Sequence, residues 1–134
     1  MTPDRLAEML EMQRMLQKSL GYDFTQMSVE QCVAYAKEMS IHLTQEIHEC
    51  LYELPFFKPW KDYSNMTDLD QIAAAGKAQA EMIDMWHFFM NMMLALGLTA
   101  DKMYVAYKEK NQENYDRQVR GYTHDISYRE ANNG

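Results

Sequence analysis

Cysteine occurs twice, proline three times and glycine five times in 134 residues. Two cysteines do not make the disulfide framework of a small secreted scaffold. If Cys32 and Cys50 share one helix, they stand about 27 Å apart at 1.5 Å per residue, beyond the reach of a disulfide. The few helix breakers sit at seams, at Gly21, Pro55, Pro59, Gly76, Gly97 and Gly121, and between them the apolar spacing is helical. No run approaches the roughly 18 apolar residues that a membrane span needs. Neither a secretory apolar stretch nor a twin-arginine signal opens the chain. The expectation is a soluble protein of a reducing cytoplasm with no membrane partner. Bases are also short, 13 against 20 acids for a net charge of −7. That leaves no basic footprint for nucleic acid. A polyanionic substrate is still allowed, because clustered acids hold divalent cations and the cations hold phosphates.

Hydrophobic residues make up 47% of the chain, an ordinary globular proportion. The length suits one domain, expected over residues 1–122 and followed by a polar tail over 123–134. Thirteen methionines stand out. Met is unbranched and soft, and it fills irregular gaps between helices.

Four helical segments are predicted. The first starts at residue 2 or 4 and ends at residue 20, with Leu6, Met9, Leu10, Gln13, Leu16 and Leu20 on one face. Gln13 is the odd member, an amide in an apolar stripe. The second begins at Ser28, which forms a capping-box pattern with Gln31, and runs to about Glu53, ahead of Pro55 and Pro59. Its expected inner stripe is Val33, Ala36, Ser40, Leu43, Ile47, Cys50, Leu51 and Leu54. Residues 55–67 read as an aromatic loop with Lys58 and Lys61, long enough for function. The third segment lies within about residues 68–96, either unbroken or interrupted at Gly76. Its second half is apolar almost all round, as in a helix buried by several neighbours. The fourth starts at the N-cap Thr99 and runs to about Val119.

Glu46 and Glu49 are three apart on the second segment, and Glu81 and Asp84 are three apart on the third. Residues at that spacing share a helix face. The second pair sits among Met82, Ile83, Met85 and Trp86, where an unpaired carboxylate is very costly. No Lys or Arg occurs between Ala78 and Ala100, so a partner must come from elsewhere. A salt bridge to another segment is one solution, and a divalent cation shared with Glu46 and Glu49 is the other. All-oxygen ligands favour Mg²⁺ or Mn²⁺. On the fourth segment Lys110, Asn114 and Arg117 fall on one face at i, i+4 and i+7, with Lys108, Glu109, Glu113 and Asp116 expected elsewhere. Lys and Arg clamp phosphate oxygens; a solvated, ion-paired helix is the plain alternative.

The stretch EMIDMWHFFMNMMLALGL, followed by Tyr107, Lys110, Asn111, Asn114, Arg117, Gln118 and Gly121-Tyr122, resembles the all-alpha dUTPase and phage dCTPase–dUTPase family, within the MazG-like NTP pyrophosphatase superfamily. MLEMQRMLQKSL resembles that family's first motif and EIHECLYELPFFKPWK its second. The likeness covers most of residues 6–122 and keeps the motif order. It implies an all-α bundle of four to five antiparallel helices and a homodimer or homotetramer. It further implies two or more Mg²⁺ on Glu46, Glu49, Glu81 and Asp84, with phosphates on Lys110, Asn114 and Arg117. Gln13 would read the base edge, Asn91 would touch sugar or base, and Trp60 and Lys61 would close over the substrate. A bacterial or phage source fits. Members of that branch are often longer between the second and third motifs. Here 31 residues separate Glu49 from Glu81, which keeps a purine such as dGTP open beside dUTP and dCTP.

The implied reaction is dNTP + water → dNMP + diphosphate. The water is activated by the metal and attacks the α-phosphorus; Glu46 or Glu49 orients it or takes its proton. Two rivals stand beside it. A di-iron bundle is suggested by Asp84 and His87 but lacks the second acid-x-x-His. A non-enzymatic oligomeric module would use the Met-rich stripes as contact surface.

Overall fold

A computed structural model describes residue 2 and residues 4–121 of the chain. Among them are four helices and no strand. The helices are α1 (Arg5–Ser19), α2 (Val29–Glu53), α3 (Asp68–Leu96) and α4 (Ala100–Val119). The polar tail expected over residues 123–134 lies outside the described residues. The chain divides into two compact units, Met1–Leu98 and Thr99–Gly134.

Each helix start has a local cause. Asp4 Oδ1 accepts from the Ala7 amide at the head of α1. Ser28 and Gln31 form the expected capping box on α2. Thr67 and Asp70 form a second one on α3, worth about 1 kcal/mol through the cap alone. Thr99 caps α4. Gly97 ends α3 at φ 74°, a left-handed conformation that Gly adopts without strain. Gly76 does not interrupt α3, which runs unbroken for 29 residues. A glycine in a helix interior costs only about 1 kcal/mol, and the rest of α3 outweighs it.

In the first unit α2 and α3 pack as the main pair and α1 lies against α3. Cross-contacts give the register. Asn91 meets Met39, Phe88 meets His42, and Ala78 meets Cys50. Numbers rise on α2 as they fall on α3, so the pair is antiparallel. Tyr35, Ala36, Met39 and Ala95 form the core cluster, edged by Phe24, Met27, Cys32, Phe88 and Met92.

Two expected faces are corrected. Of the expected α2 stripe Ala36 is buried and Ser40, Leu43, Cys50 and Leu51 are half-buried, but Val33, Ile47 and Leu54 are exposed, and Tyr35 and Met39, which the stripe left out, are buried. On α1 the buried residues are Leu10, Gln13 and Gln17, while Leu16 and Leu20 are exposed. The second half of α3 is not covered on all sides, since Met82, Ile83 and Leu96 are each more than half exposed. Cys32 and Cys50 are free thiols on α2.

Candidate active site

The rotated face of α2 brings Glu46 against α3, where Glu81 and Asp84 project towards it from adjacent turns. One carboxylate oxygen from each of the three lies within 4.8 Å of the other two. Glu49, on the next turn of α2, stands close enough to share a proton with Glu46, as does Glu81. Burial first, and then the charges of Glu49 and Asp84, push the Glu46 carboxyl up from 4.5 to about 7. Glu46 Oε2 and Glu81 Oε2 are buried without any hydrogen-bond partner. None of the ion pairs among the described residues involves these acids.

Crowded, partly dehydrated carboxylates with orphaned oxygens are costly unless a cation or a proton joins them. The donor set suits a hard divalent cation. Oxygens on one Mg²⁺ at ~2.1 Å stand at most about 4.2 Å apart, so the side chains need to close by only a few tenths of an ångström. Among the described residues this is the one such cluster, and it contains no histidine. His48 and His87 are exposed. That is not the donor set of a di-iron site.

Further along the α2–α3 seam lies a different kind of polar group. The buried polar side chains among the described residues are Gln13, Gln17 and Asn91, all amides. Gln13 and Asn91 are each 4% exposed. Gln13 Nε2 donates to Asn91 Oδ1 at 2.7 Å, and Asn91 Nδ2 donates to Met39 Sδ at 3.5 Å. The Tyr35 hydroxyl donates to Gln17 Oε1 at 2.6 Å. Two residues placed at the base in the resemblance thus meet each other across α1 and α3. Met39 precedes Glu46 by seven residues and Asn91 follows Asp84 by seven, about 10.5 Å of helix in each case. Midway, His42 stacks on Phe88 with ring centroids 5.4 Å apart. His42 Nε2 lies 3.8 Å from Glu38. The seam therefore carries carboxylates, then an aromatic pair, then amides.

Gln17, Tyr35, His42 and Phe88 escaped the sequence reading. The usable signal was Gln17, one turn from Gln13 on the same stripe. Tyr35 and His42 lie on the α2 face that the apolar pattern misplaced.

The loop after α2 is tied by its aromatics. The Tyr63 hydroxyl accepts from the Lys58 amide at 3.2 Å, and the Tyr63 ring lies against Phe56. Lys58 Nζ sits over Tyr52 and Lys61 Nζ over Tyr63. Trp60 is 80% exposed. Phe56 has φ 68°, an outlier for a bulky residue. On α4, Lys110, Asn114 and Arg117 are described within their own unit. Glu113, expected on another face, pairs with both Lys110 and Arg117.

The sequence profile of the dUTPase family matches residues 5–96, the span that holds α1, α2, α3 and the whole acidic cluster. A dCTP pyrophosphatase of Enterobacteria phage LZ5 is 32% identical over 143 residues, covering 89% of this chain and 83% of the relative. One of Enterobacteria phage T4 is 28% identical over 146 residues, with the same coverage. No solved structure matches the chain. A profile match over more than half of the sequence, with those relatives, settles kinship: the chain belongs to the dUTPase family of all-α nucleotide hydrolases.

Proposed function

We propose that this chain hydrolyses a pyrimidine deoxynucleoside triphosphate, dCTP or dUTP, to the monophosphate and diphosphate. The observation that carries the reading is the acidic cluster with two orphaned buried oxygens, set two helical turns from a buried amide pair. The carboxylates of Glu46, Glu81 and Asp84, with Glu49 beside them, would hold Mg²⁺ or Mn²⁺, two or more ions once the triphosphate adds its own oxygens. Such ions supply positive charge for the triphosphate and acidify water. Glu46 and Glu49 are assigned to orient the attacking water or take its proton as the bond between the α- and β-phosphates breaks. The relatives' names support a pyrimidine.

Gln13 and Asn91 are assigned the base and sugar. An amide offers both a donor and an acceptor, as a base edge requires. Trp60 and Lys61 are assigned to close over the substrate from the loop. Lys110, Asn114 and Arg117 are assigned the phosphates on the strength of the resemblance, with Lys and Arg neutralising the leaving diphosphate. The decisive assay is a panel of all deoxy- and ribonucleoside triphosphates with Mg²⁺. The expected result is dCMP or dUMP plus diphosphate; preference for a purine, or release of orthophosphate, would overturn the reading.

A second copy of the chain is the proposed partner. From Ala78 onward α3 lacks bases, and it leaves Met82 and Ile83 exposed, an apolar surface that soluble monomers usually cover. A monomer by light scattering would end that assignment.

A further inference from the structure

Between α2 and α3 the chain forms neither helix nor strand, yet it is held at definite points. Lys58 is bonded on both of its backbone sides. Its amide donates to the Tyr63 hydroxyl oxygen at 3.2 Å, and its carbonyl accepts from the Lys61 amide at 3.1 Å. The second bond closes a four-residue turn, Lys58-Pro59-Trp60-Lys61. Pro59 takes the second place, where its fixed φ favours the turn. Trp60 takes the third, and its side chain is left 80% exposed. A backbone amide can only donate, so the Tyr63 oxygen is the acceptor whichever way its own hydrogen points. The turn is thus seated on one side-chain oxygen.

Tyr63 is itself anchored. Its carbonyl accepts from the Met66 amide at 3.0 Å, one residue before the Thr67 cap of α3. Its ring lies 5.1 Å from that of Phe56, whose φ of 68° persists only with support from its surroundings. On the α2 side, Tyr52 meets the Phe57 ring edge-on at 5.8 Å and the Lys58 ammonium at 4.8 Å. Lys61 Nζ stands over the Tyr63 ring at 5.9 Å. Neither lysine takes part in the ion pairs found among the described residues, so rings steady their charge and no carboxylate neutralises it.

We infer that Tyr63 is a positioning residue for the substrate loop: its hydroxyl seats the Lys58–Lys61 turn and so fixes where Trp60 stands before a nucleotide arrives. The inference rests on the reading above that Trp60 closes over the substrate. Tyr63 touches no substrate in it and acts through the turn. A contact residue on an unheld loop must be ordered at every binding event, and that ordering weakens affinity. A turn already seated by folding leaves less to order. The hydroxyl should therefore show itself in KM and hardly in kcat.

The test compares Tyr63→Phe, Trp60→Ala and the double variant with the wild-type chain. It measures kcat and KM for dCTP and dUTP with Mg²⁺, and Tm for each protein. It also measures the heteronuclear NOE of the Trp60 indole N–H, identified by its loss in Trp60→Ala. Phenylalanine keeps the ring beside Phe56 and under Lys61 and removes only the acceptor. Tyr63→Phe should raise KM about 3- to 10-fold, the worth of one neutral hydrogen bond, with kcat within about twofold. The Trp60 NOE should drop while that of Trp86 stays. In the Trp60→Ala background the same change should move KM by less than about 1.5-fold, because the two residues act as one unit. A purely structural Tyr63 would lower Tm and the active fraction, cutting kcat with KM unmoved and to the same extent in both backgrounds; that pattern overturns the inference. So does an unchanged Trp60 NOE. If Trp60→Ala leaves KM unmoved, the assignment of Trp60 to the substrate fails and takes this inference with it, while hydrolysis of dCTP or dUTP keeps the rest of the proposed function standing. If Tyr63→Phe folds poorly, KM still decides, because it does not depend on the folded fraction.

Discussion

The two polar ends of the α2–α3 seam solve opposite problems. At the amide end, Gln13, Asn91, Gln17 and Tyr35 satisfy one another by hydrogen bonds that cross three helices. At the carboxylate end, Glu46, Glu81 and Asp84 crowd together, and two buried oxygens meet nothing. Among the described residues the amide end leaves no enclosed side-chain atom unpartnered, and the carboxylate end leaves two. A completed network specifies a conformation. An incomplete one specifies a ligand, here a positive one. The chain thus gives its buried amides partners of its own and leaves its electrostatic strain at the carboxylates.

Neutralising the acid end should have the largest effect and the most unusual signature. Glu46→Gln, Glu81→Gln or Asp84→Asn should each cut nucleotide hydrolysis by at least ~10²–10³-fold, the scale of losing a main charge-stabilising group. The same changes should raise, not lower, the Tm of metal-free protein, because each removes a repulsive charge. Diphosphate release and thermal melts with chelator check both halves. Wild-type turnover in any of the three would remove that residue from the metal site.

The amide end should respond in the opposite sense. Gln13→Leu strands Asn91 Oδ1, and Asn91→Leu strands Gln13 Nε2. Each should destabilise the fold by about 1–3 kcal/mol, with or without metal, by denaturant unfolding. Hydrolysis should fall mainly through KM. Stabilisation by either change would erase the contrast between the two ends.

A pH titration sharpens the comparison at the acid end. In the folded chain the Glu46 carboxyl is raised to about 7, so without metal the native state holds a proton that the unfolded state releases near 4.5. Its contribution to stability is fully present below about pH 4.5 and is lost as pH rises through about 7. Metal-free Tm should therefore fall from pH 5 to 8, and saturating Mg²⁺ should flatten that fall because the cation takes the proton's place. Glu46→Gln should flatten it as well. A slope that survives in Glu46→Gln would assign it to another group.

The contrast also explains what could be read without coordinates. The acidic pairs were legible because each lies within one helix, three residues apart, and because Glu81 and Asp84 stand in an apolar run without a base; in the fold Glu46 and Glu81 are half-buried while Asp84 is exposed, so the demand for a counter-charge falls on the two glutamates. The inner face of α2 was not. Its apolar stripe through Val33 and Ile47 tracks a surface that is exposed in this unit, while the true inner face carries Tyr35, Met39, His42 and Glu46. Polar residues stand among the apolar ones on that face, so hydrophobic periodicity pointed a fraction of a turn away. Gln13 betrayed itself as an amide in an apolar stripe, yet Gln17 passed unnoticed because the stripe was drawn through Leu16 and Leu20. The pairing of the amides was beyond reach, since it joins residues 18 and 78 positions apart.

The smallest effect belongs to the loop, which is built like neither end. Trp60 is 80% exposed, so Trp60→Ala should change stability by no more than about 0.5 kcal/mol. Its neighbours are held, Lys61 over Tyr63 and the Lys58 amide by the Tyr63 hydroxyl, so the loop presents the indole rather than letting it collapse. If that ring closes on the nucleotide, Trp60→Ala should raise KM about 2- to 10-fold, the equivalent of the ~0.5–1.5 kcal/mol that an aromatic contact adds. kcat should stay within about twofold, because a contact to the base is lost equally from the ground state and the transition state. Equal loss of kcat and kcat/KM would instead make Trp60 a contributor to the transition state. An unchanged KM would leave the exposed indole for a protein contact, where the second copy of the chain is the first candidate to examine by comparing the oligomeric state of the same variant.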